Sequence, residues 1–174
     1  MKAPVIWLTG IPGSGKTTLA EELKKYYEQK KMSVEILDGD EIRKTLSKDL
    51  GFSPEDRKEH NRRVIFVAQL LAKNGVTTIV PLISPYRETR DFARKEIQNF
   101  VEVWVKASVD ECIKRDPKGL YKKALDGEIK NLTGLNAPYE EPENAELVLD
   151  TEKHNIAESI ELIASTIKKL GYLN

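Results

Sequence analysis

Gly10-Ile11-Pro12-Gly13-Ser14-Gly15-Lys16-Thr17 carries the clearest chemical signal in this sequence. Two glycines enclose four residues, and Lys and Thr follow at once. A turn of this kind can aim successive backbone N–H groups at one anion, and a helix starting there adds the positive end of its dipole. Gly10, Gly13, Ser14, Gly15 and Thr18 would then cradle the phosphates of a nucleoside triphosphate. Lys16 would reach the outer phosphates, and the Thr17 hydroxyl would bind Mg²⁺. The setting agrees, because the apolar run Val5–Leu8 precedes the loop and a helical pattern, Leu19–Tyr27, follows it.

A second cluster is Asp38-Gly39-Asp40, with Arg43 three residues further on. If the chain is extended there, both carboxylates point the same way. One could hold water on a metal while the other takes the proton of an attacking hydroxyl, as phosphoryl transfer to an alcohol requires. The plainer expectation is an Asx-type turn into a helix, capped by Asp40. Arg43 could pair with Asp40 or bind an anionic substrate. Arg57, Arg62 and Arg63 share a basic helix that could equally be a solvated face, and His60 reads by default as a surface or packing residue on it. His154 has no partner at metal-ligand spacing.

These clusters need a scaffold. Five mostly apolar, β-branched runs, Val5–Leu8, Val34–Leu37, Val76–Val80, Val101–Val105 and Leu147–Leu149, alternate with helical patterns. Little polar alternation means burial on both faces, so the expected class is α/β, a mainly parallel sheet between helical layers. Ligands of such sheets collect at the carboxyl ends of the strands. Both clusters lie there, as does Ile83-Ser84-Pro85-Tyr86-Arg87 after the third run. Ser84 stands where a motor ATPase would place a metal-binding Asp. Ser53-Pro54-Glu55-Asp56 starts a helix that Asn74-Gly75 ends.

The 174 residues suit a single domain. Lys and Arg total 28 and so do Asp and Glu, which argues against a nucleic-acid or membrane-surface partner. No apolar run could span a bilayer. The single cysteine, Cys112, excludes an internal disulfide; with no signal-peptide pattern, a cytoplasmic location is expected. Cys112 itself reads as a small buried hydrophobe. Residues 116 to 146 have no sustained period and open on Asp116-Pro117-Lys118-Gly119. A lysine-bearing lid is the expectation, against a merely solvated loop.

The motifs together resemble the adenylylsulfate kinase (APS kinase) family. Besides the phosphate loop, the resemblance rests on Leu-Asp-Gly-Asp-Glu-Ile-Arg, Gly-Phe-Ser-Pro-Glu-Asp-Arg, Ile-Ser-Pro-Tyr-Arg and Asp-Pro-Lys-Gly-Leu-Tyr-Lys-Lys-Ala, in order from residue 5 to about 151. It implies a P-loop kinase-like three-layer sandwich with a lid. It also implies ATP-dependent phosphorylation of the 3′-hydroxyl of adenylyl sulfate in sulfate assimilation, with ATP as co-substrate and Mg²⁺, in a homodimer. By resemblance Asp38 acts near the metal and Asp40 is the base at the acceptor hydroxyl. Ser84 has a place in catalysis, where a phosphoenzyme has been considered, although direct in-line transfer is the simpler expectation. Lys118 and Arg115 screen phosphate charge, and Arg43, Phe52, Arg57, Ile83 and Ser84 bind the acceptor.

Departures from the family pattern gather around that acceptor. His60 replaces an Asn, Leu82 a Phe, and Asn131-Leu132 a Gly-Phe pair whose aromatic ring would stack on adenine opposite Phe52. These four positions are acceptor-side candidates for that reason. They leave room for a kinase of another nucleotide-like acceptor. A nucleotide-binding regulatory module without turnover is the remaining alternative, and the two aspartates speak against it.

Overall fold

A computed structural model describes residues 3–172. Its centre is a parallel sheet of β1 (Val5–Thr9), β2 (Val34–Ile36), β3 (Thr77–Pro81), β4 (Phe100–Lys106) and β5 (Leu147–Asp150). The strand order is β2-β3-β1-β4-β5. β1 is central, with Val5 opposite Thr78 on one side and Phe100 on the other. All five runs expected from the sequence are strands, each within two residues of its expected ends.

Alternation along β1 divides the interior. Ile6 and Leu8 join a cluster with Leu19, Leu23, Ile160 and Ile163, from α1 (Lys16–Gln29) and α7 (Ile156–Lys169). Val5 and Trp7 face the other way, onto Val64, Ile65 and Ala68 of α3 (Pro54–Lys73) and Ala93 of α4 (Arg87–Glu96). The result is three layers. Each fully buried large apolar side chain contributes about 1.5–3 kcal/mol, so these two clusters are the main stabilising contacts.

α3 starts as expected: Ser53 accepts from Asp56 N at 3.1 Å, and Pro54 occupies the first turn. A short α2 (Gly39–Lys44) follows β2, and α5 (Val109–Arg115) follows β4. Residues 116–146 are not irregular throughout, since α6 (Leu120–Leu125) lies within them. Leu120, Tyr121 and Ala124 of α6 belong to a third cluster with Ile11 and Cys112, so apolar packing carries this stretch where periodicity was too short to read. No helix among the described residues is long and apolar enough to cross a membrane.

Candidate active site

The loop after β1 is built by its glycines and its neighbours. A Cβ on Gly10 would lie 2.4 Å from Val105 O, so the loop can cross β4 only without a side chain there. Gly15 caps α1 at φ 105°, a left-handed conformation open to glycine at little cost. Two contacts from distant sequence steady the loop. Tyr121 Oη donates to Pro12 O at 2.7 Å, and Thr151 Oγ1 donates to Ser14 O at 3.0 Å. Thr17 and Thr18 are exposed at the mouth. Lys16 is buried and curls over the loop, its Nζ donating to Ile11 O at 2.8 Å. Burial, helped by the nearby Lys118 charge, pushes its ammonium down to about 7.

The carboxylate pair is arranged differently from the extended geometry expected. Asp38 is the N-cap of α2, its Oδ1 accepting from Asp40 N at 2.8 Å and Glu41 N at 3.2 Å. The cap is therefore Asp38 and not Asp40, which lies within the first turn of α2. The cap engages Oδ1 alone and leaves Oδ2 for a ligand. Asp40 reaches across to Lys118, whose Nζ lies 2.5 Å from its Oδ2. Thr17, Asp38, Asp40 and Lys118 all line one cleft of about 640 Å³.

Beyond Asp40 lies the expected acceptor wall. Phe52 is 63% exposed, with the Arg43 guanidinium 4.5 Å from its ring centroid. Arg57 donates to Phe52 O, to Thr133 Oγ1 and to Asn131 O, at 2.9, 2.5 and 2.7 Å. One arginine thus joins the start of α3 to the 131–133 stretch. Residues 139–140, further along the chain, are fastened as well, by Glu140 N to Pro85 O at 2.8 Å and by Tyr139 Oη to Thr9 Oγ1 at 2.9 Å.

Three of the acceptor-side candidates are held in packed surroundings. Ser84 is 1% exposed, and its hydroxyl donates to Asn61 Oδ1 at 2.6 Å while accepting from Trp7 Nε1 at 2.9 Å. A hydroxyl so engaged and shielded is not placed as a nucleophile. Leu132 does not hold an open face opposite Phe52. It is buried in the third cluster with Ile11 and Tyr121. Of the two roles open to His60, surface or packing, the structure gives packing: it is 2% exposed, with neither ring nitrogen hydrogen-bonded. Burial, with Arg43 and Arg63 nearby, pushes its imidazole down to about 4. Two of the departures meet here: a Cβ on Gly39 would touch both Leu82 Cδ1 and His60 Nε2. The turn between Asp38 and Asp40 rests on that pair.

Arg115 forks onto Thr151, at 2.9 Å to Oγ1 and 3.1 Å to O, and reaches the phosphate loop through that residue. Thr151, Thr9, Asn61 and Tyr139 were not among the site residues expected from the sequence, because each matters through a contact with distant chain. Cys112 is fully buried, with its thiol pushed up by burial, as a packing residue should be.

A parallel sheet in this order, a glycine loop and lysine after its central strand, and a carboxylate pair across the cleft define a P-loop kinase. The comparisons narrow the class. The family model for adenylylsulphate kinase matches residues 2–150. A probable adenylyl-sulfate kinase of Pyrococcus abyssi is 55% identical over 173 residues, covering 99% of each chain. An adenylyl-sulfate kinase of Oceanobacillus iheyensis is 48% identical, over 99% of this chain and 87% of the other. The Mycobacterium tuberculosis APS kinase in complex with AMPPNP and APS superposes with TM-score 0.92 at 40% identity, covering 96% of this chain and 98% of that one. The chain belongs to the adenylylsulphate kinase family.

Proposed function

We propose that this chain transfers the γ-phosphoryl group of ATP to the 3′-hydroxyl of adenylyl sulfate, giving ADP and 3′-phosphoadenylyl sulfate for sulfate assimilation. Family membership supports the reaction. The observation that carries it in this molecule is the shared cleft, which sets Thr17 at the mouth of a phosphate loop on one side and Asp40 with Lys118 on the other. A phosphoryl group held by the loop and a hydroxyl held at Asp40 would meet between them.

Each residue then has a task. Backbone N–H groups from Gly10 to Thr18 hold the phosphates, and Lys16 swings from Ile11 O onto the outer ones. Asp40 accepts the hydroxyl proton, a role open to it because α2 leaves its side chain exposed in the cleft. Phe52 offers a face for the adenine, and Arg43 and Arg57 beside it offer charge to the phosphosulfate. Lys118 spans the cleft from 116–146, which serves as the lid. Ser84 and Ile83 shape the acceptor wall. Asn131 does so through its backbone, and His60 and Leu132 from within the packing behind it.

The donors suit Mg²⁺. Thr17 and Asp38 offer hard oxygens at one cleft, and no group of three His, Cys, Asp or Glu able to hold a metal occurs among the described residues. A metal with few protein ligands is one carried largely by phosphates and water, as Mg²⁺ is. When bound it neutralises charge developing on the phosphoryl oxygens.

The same reading makes residues 1–174 one kinase domain, active in the cytoplasm as a homodimer. The deciding experiment is ADP release, coupled and acceptor-dependent, across a panel of adenylyl sulfate, other nucleotides and small alcohols. Turnover selective for adenylyl sulfate is expected. Selective turnover of another acceptor would replace the substrate, and no acceptor-dependent release would leave only nucleotide binding.

A further inference from the structure

Arg90, on α4, is 2% exposed and divides its guanidinium among three elements. Nη1 donates to Ser84 O at 2.5 Å and Nη2 to Glu140 O at 2.6 Å. Nε lies 2.8 Å from Glu102 Oε1 on β4. The Tyr139 ring centroid is 5.7 Å from the guanidinium carbon. Glu102 meets the need of a buried cation for an opposite charge. The other two arms go to uncharged carbonyls, so their contribution is directional: a planar fork fixes where both carbonyls stand.

Those carbonyls belong to the two parts of the chain that enclose the acceptor side. Ser84 holds φ 45°, a left-handed conformation that a non-glycine residue keeps only when its surroundings impose it. Trp7 and Asn61 hold its hydroxyl, and Arg90 holds its carbonyl. Glu140 begins the return of the 116–146 segment to the sheet. The joint between the two is reinforced on either side. Glu140 N donates to Pro85 O, and Thr9 Oγ1 donates to Ile83 O at 2.7 Å while Tyr139 Oη donates to it.

We propose that Arg90 is a positioning residue for the acceptor. It locks the Ile83–Ser84 tip and the 139–140 return into one rigid wall, so that the acceptor site is formed before the Lys118 side closes on it. This rests on the reading of the chain as an adenylyl sulfate kinase. A wall held in advance spares the substrate the cost of ordering it, so its loss should weaken acceptor binding and leave ATP binding unchanged.

Arg90→Lys keeps a charge against Glu102 but loses the planar fork that holds the Ser84 and Glu140 carbonyls together. Arg94→Lys is the control, because Arg94 pairs with Glu102 Oε2 at 3.0 Å and with Glu146 and touches neither Ser84 nor Glu140. Steady-state kinetics of the full chain with MgATP and adenylyl sulfate read the result. Arg90→Lys should raise KM for adenylyl sulfate about tenfold and shift KM for ATP less than about twofold. Arg94→Lys should lower Tm without that split. An equal rise in both KM values, or the same split in Arg94→Lys, would overturn the proposal while the native chain still turns over adenylyl sulfate. Absence of turnover by the native chain would overturn the functional reading and this proposal with it. Should Arg90→Lys lack a cooperative melting transition, Tyr139→Phe decides. It removes only the hydroxyl bonded to Thr9 and should raise the same KM about threefold, from one neutral hydrogen bond. An unchanged KM there would overturn the proposal.

Discussion

Lys118 Nζ and Asp40 Oδ2 meet at 2.5 Å across the cleft, although their side chains are 55% and 65% exposed. Exposed pairs contribute little to folding. The contact therefore reports position: it brings 116–146 to the carboxylate proposed as base.

Asp40→Asn should leave Tm within about 1 °C and ATP affinity within about twofold, since the pair is exposed. It should lower kcat on the order of 10²–10⁴-fold, the usual contribution of a placed base. Calorimetric titration with a non-hydrolysable ATP analogue and steady-state rates check this. A kcat within threefold of the native value would exclude the base role.

Lys16 predicts proton uptake. Its folded-state pKa of about 7 lies below the 10.5 of an ordinary lysine. Above pH 7 the buried amine is increasingly neutral, and triphosphate oxygens would draw a proton back onto it. Titration of ATP at pH 8 in buffers of different ionisation enthalpy should show uptake approaching one proton; at pH 6 it should show almost none from this group. Lys16→Ala should abolish the difference.

Ser84→Ala should cost about 1–3 kcal/mol of stability, because Trp7 Nε1 and Asn61 lose a buried partner. Turnover should fall less than about tenfold, since no covalent step passes through the hydroxyl. Labelled γ-phosphate retained on the native protein, and absent from the variant, would contradict this.

His60 should make the fold acid-sensitive. Its folded pKa of about 4 lies below the ordinary 6.5. Between those values the unfolded chain binds the proton and the folded chain does not, so stability is full above pH 6.5 and falls as pH drops toward 4. In His60→Leu the decline of Tm across that window should be shallower than in the native chain. Parallel declines would show that other groups govern it.

Leu132→Phe tests whether the missing ring is an acceptor feature. Leu132 is packed against Ile11 and Tyr121 beneath the phosphate loop. A larger ring should overpack this cluster, at about 1–3 kcal/mol, without tightening adenylyl sulfate binding. A fall in KM would restore the stacking role.

The strands were legible because buried parallel strands are short, β-branched runs between turns, and the phosphate loop because glycine and lysine there have one dominant use. The Asp38/Asp40 geometry stayed open between an extended tip and a turn into a helix, with Asp40 named as cap in place of Asp38, because periodicity across three residues cannot separate the two. Whether His60 faced solvent or packed inward stayed undecided for a related reason: α3 is rich in charge, and which face turns inward depends on Gly39 and Leu82 from other elements. Thr151 and Arg90 carried no motif, since their partners lie 137 and 50 residues away.

The sequence by itself determined a parallel α/β fold, a nucleotide loop between Gly10 and Thr18, and a carboxylate-bearing tip after the second strand, because local patterns encode local geometry. Tertiary structure alone decided that Asp40 faces Lys118, that the Ser84 hydroxyl is closed off, and that Arg90 joins the Ile83–Ser84 tip to the 139–140 return. Those are contacts between segments far apart in the chain, set by how layers pack, and residue spacing holds no record of them.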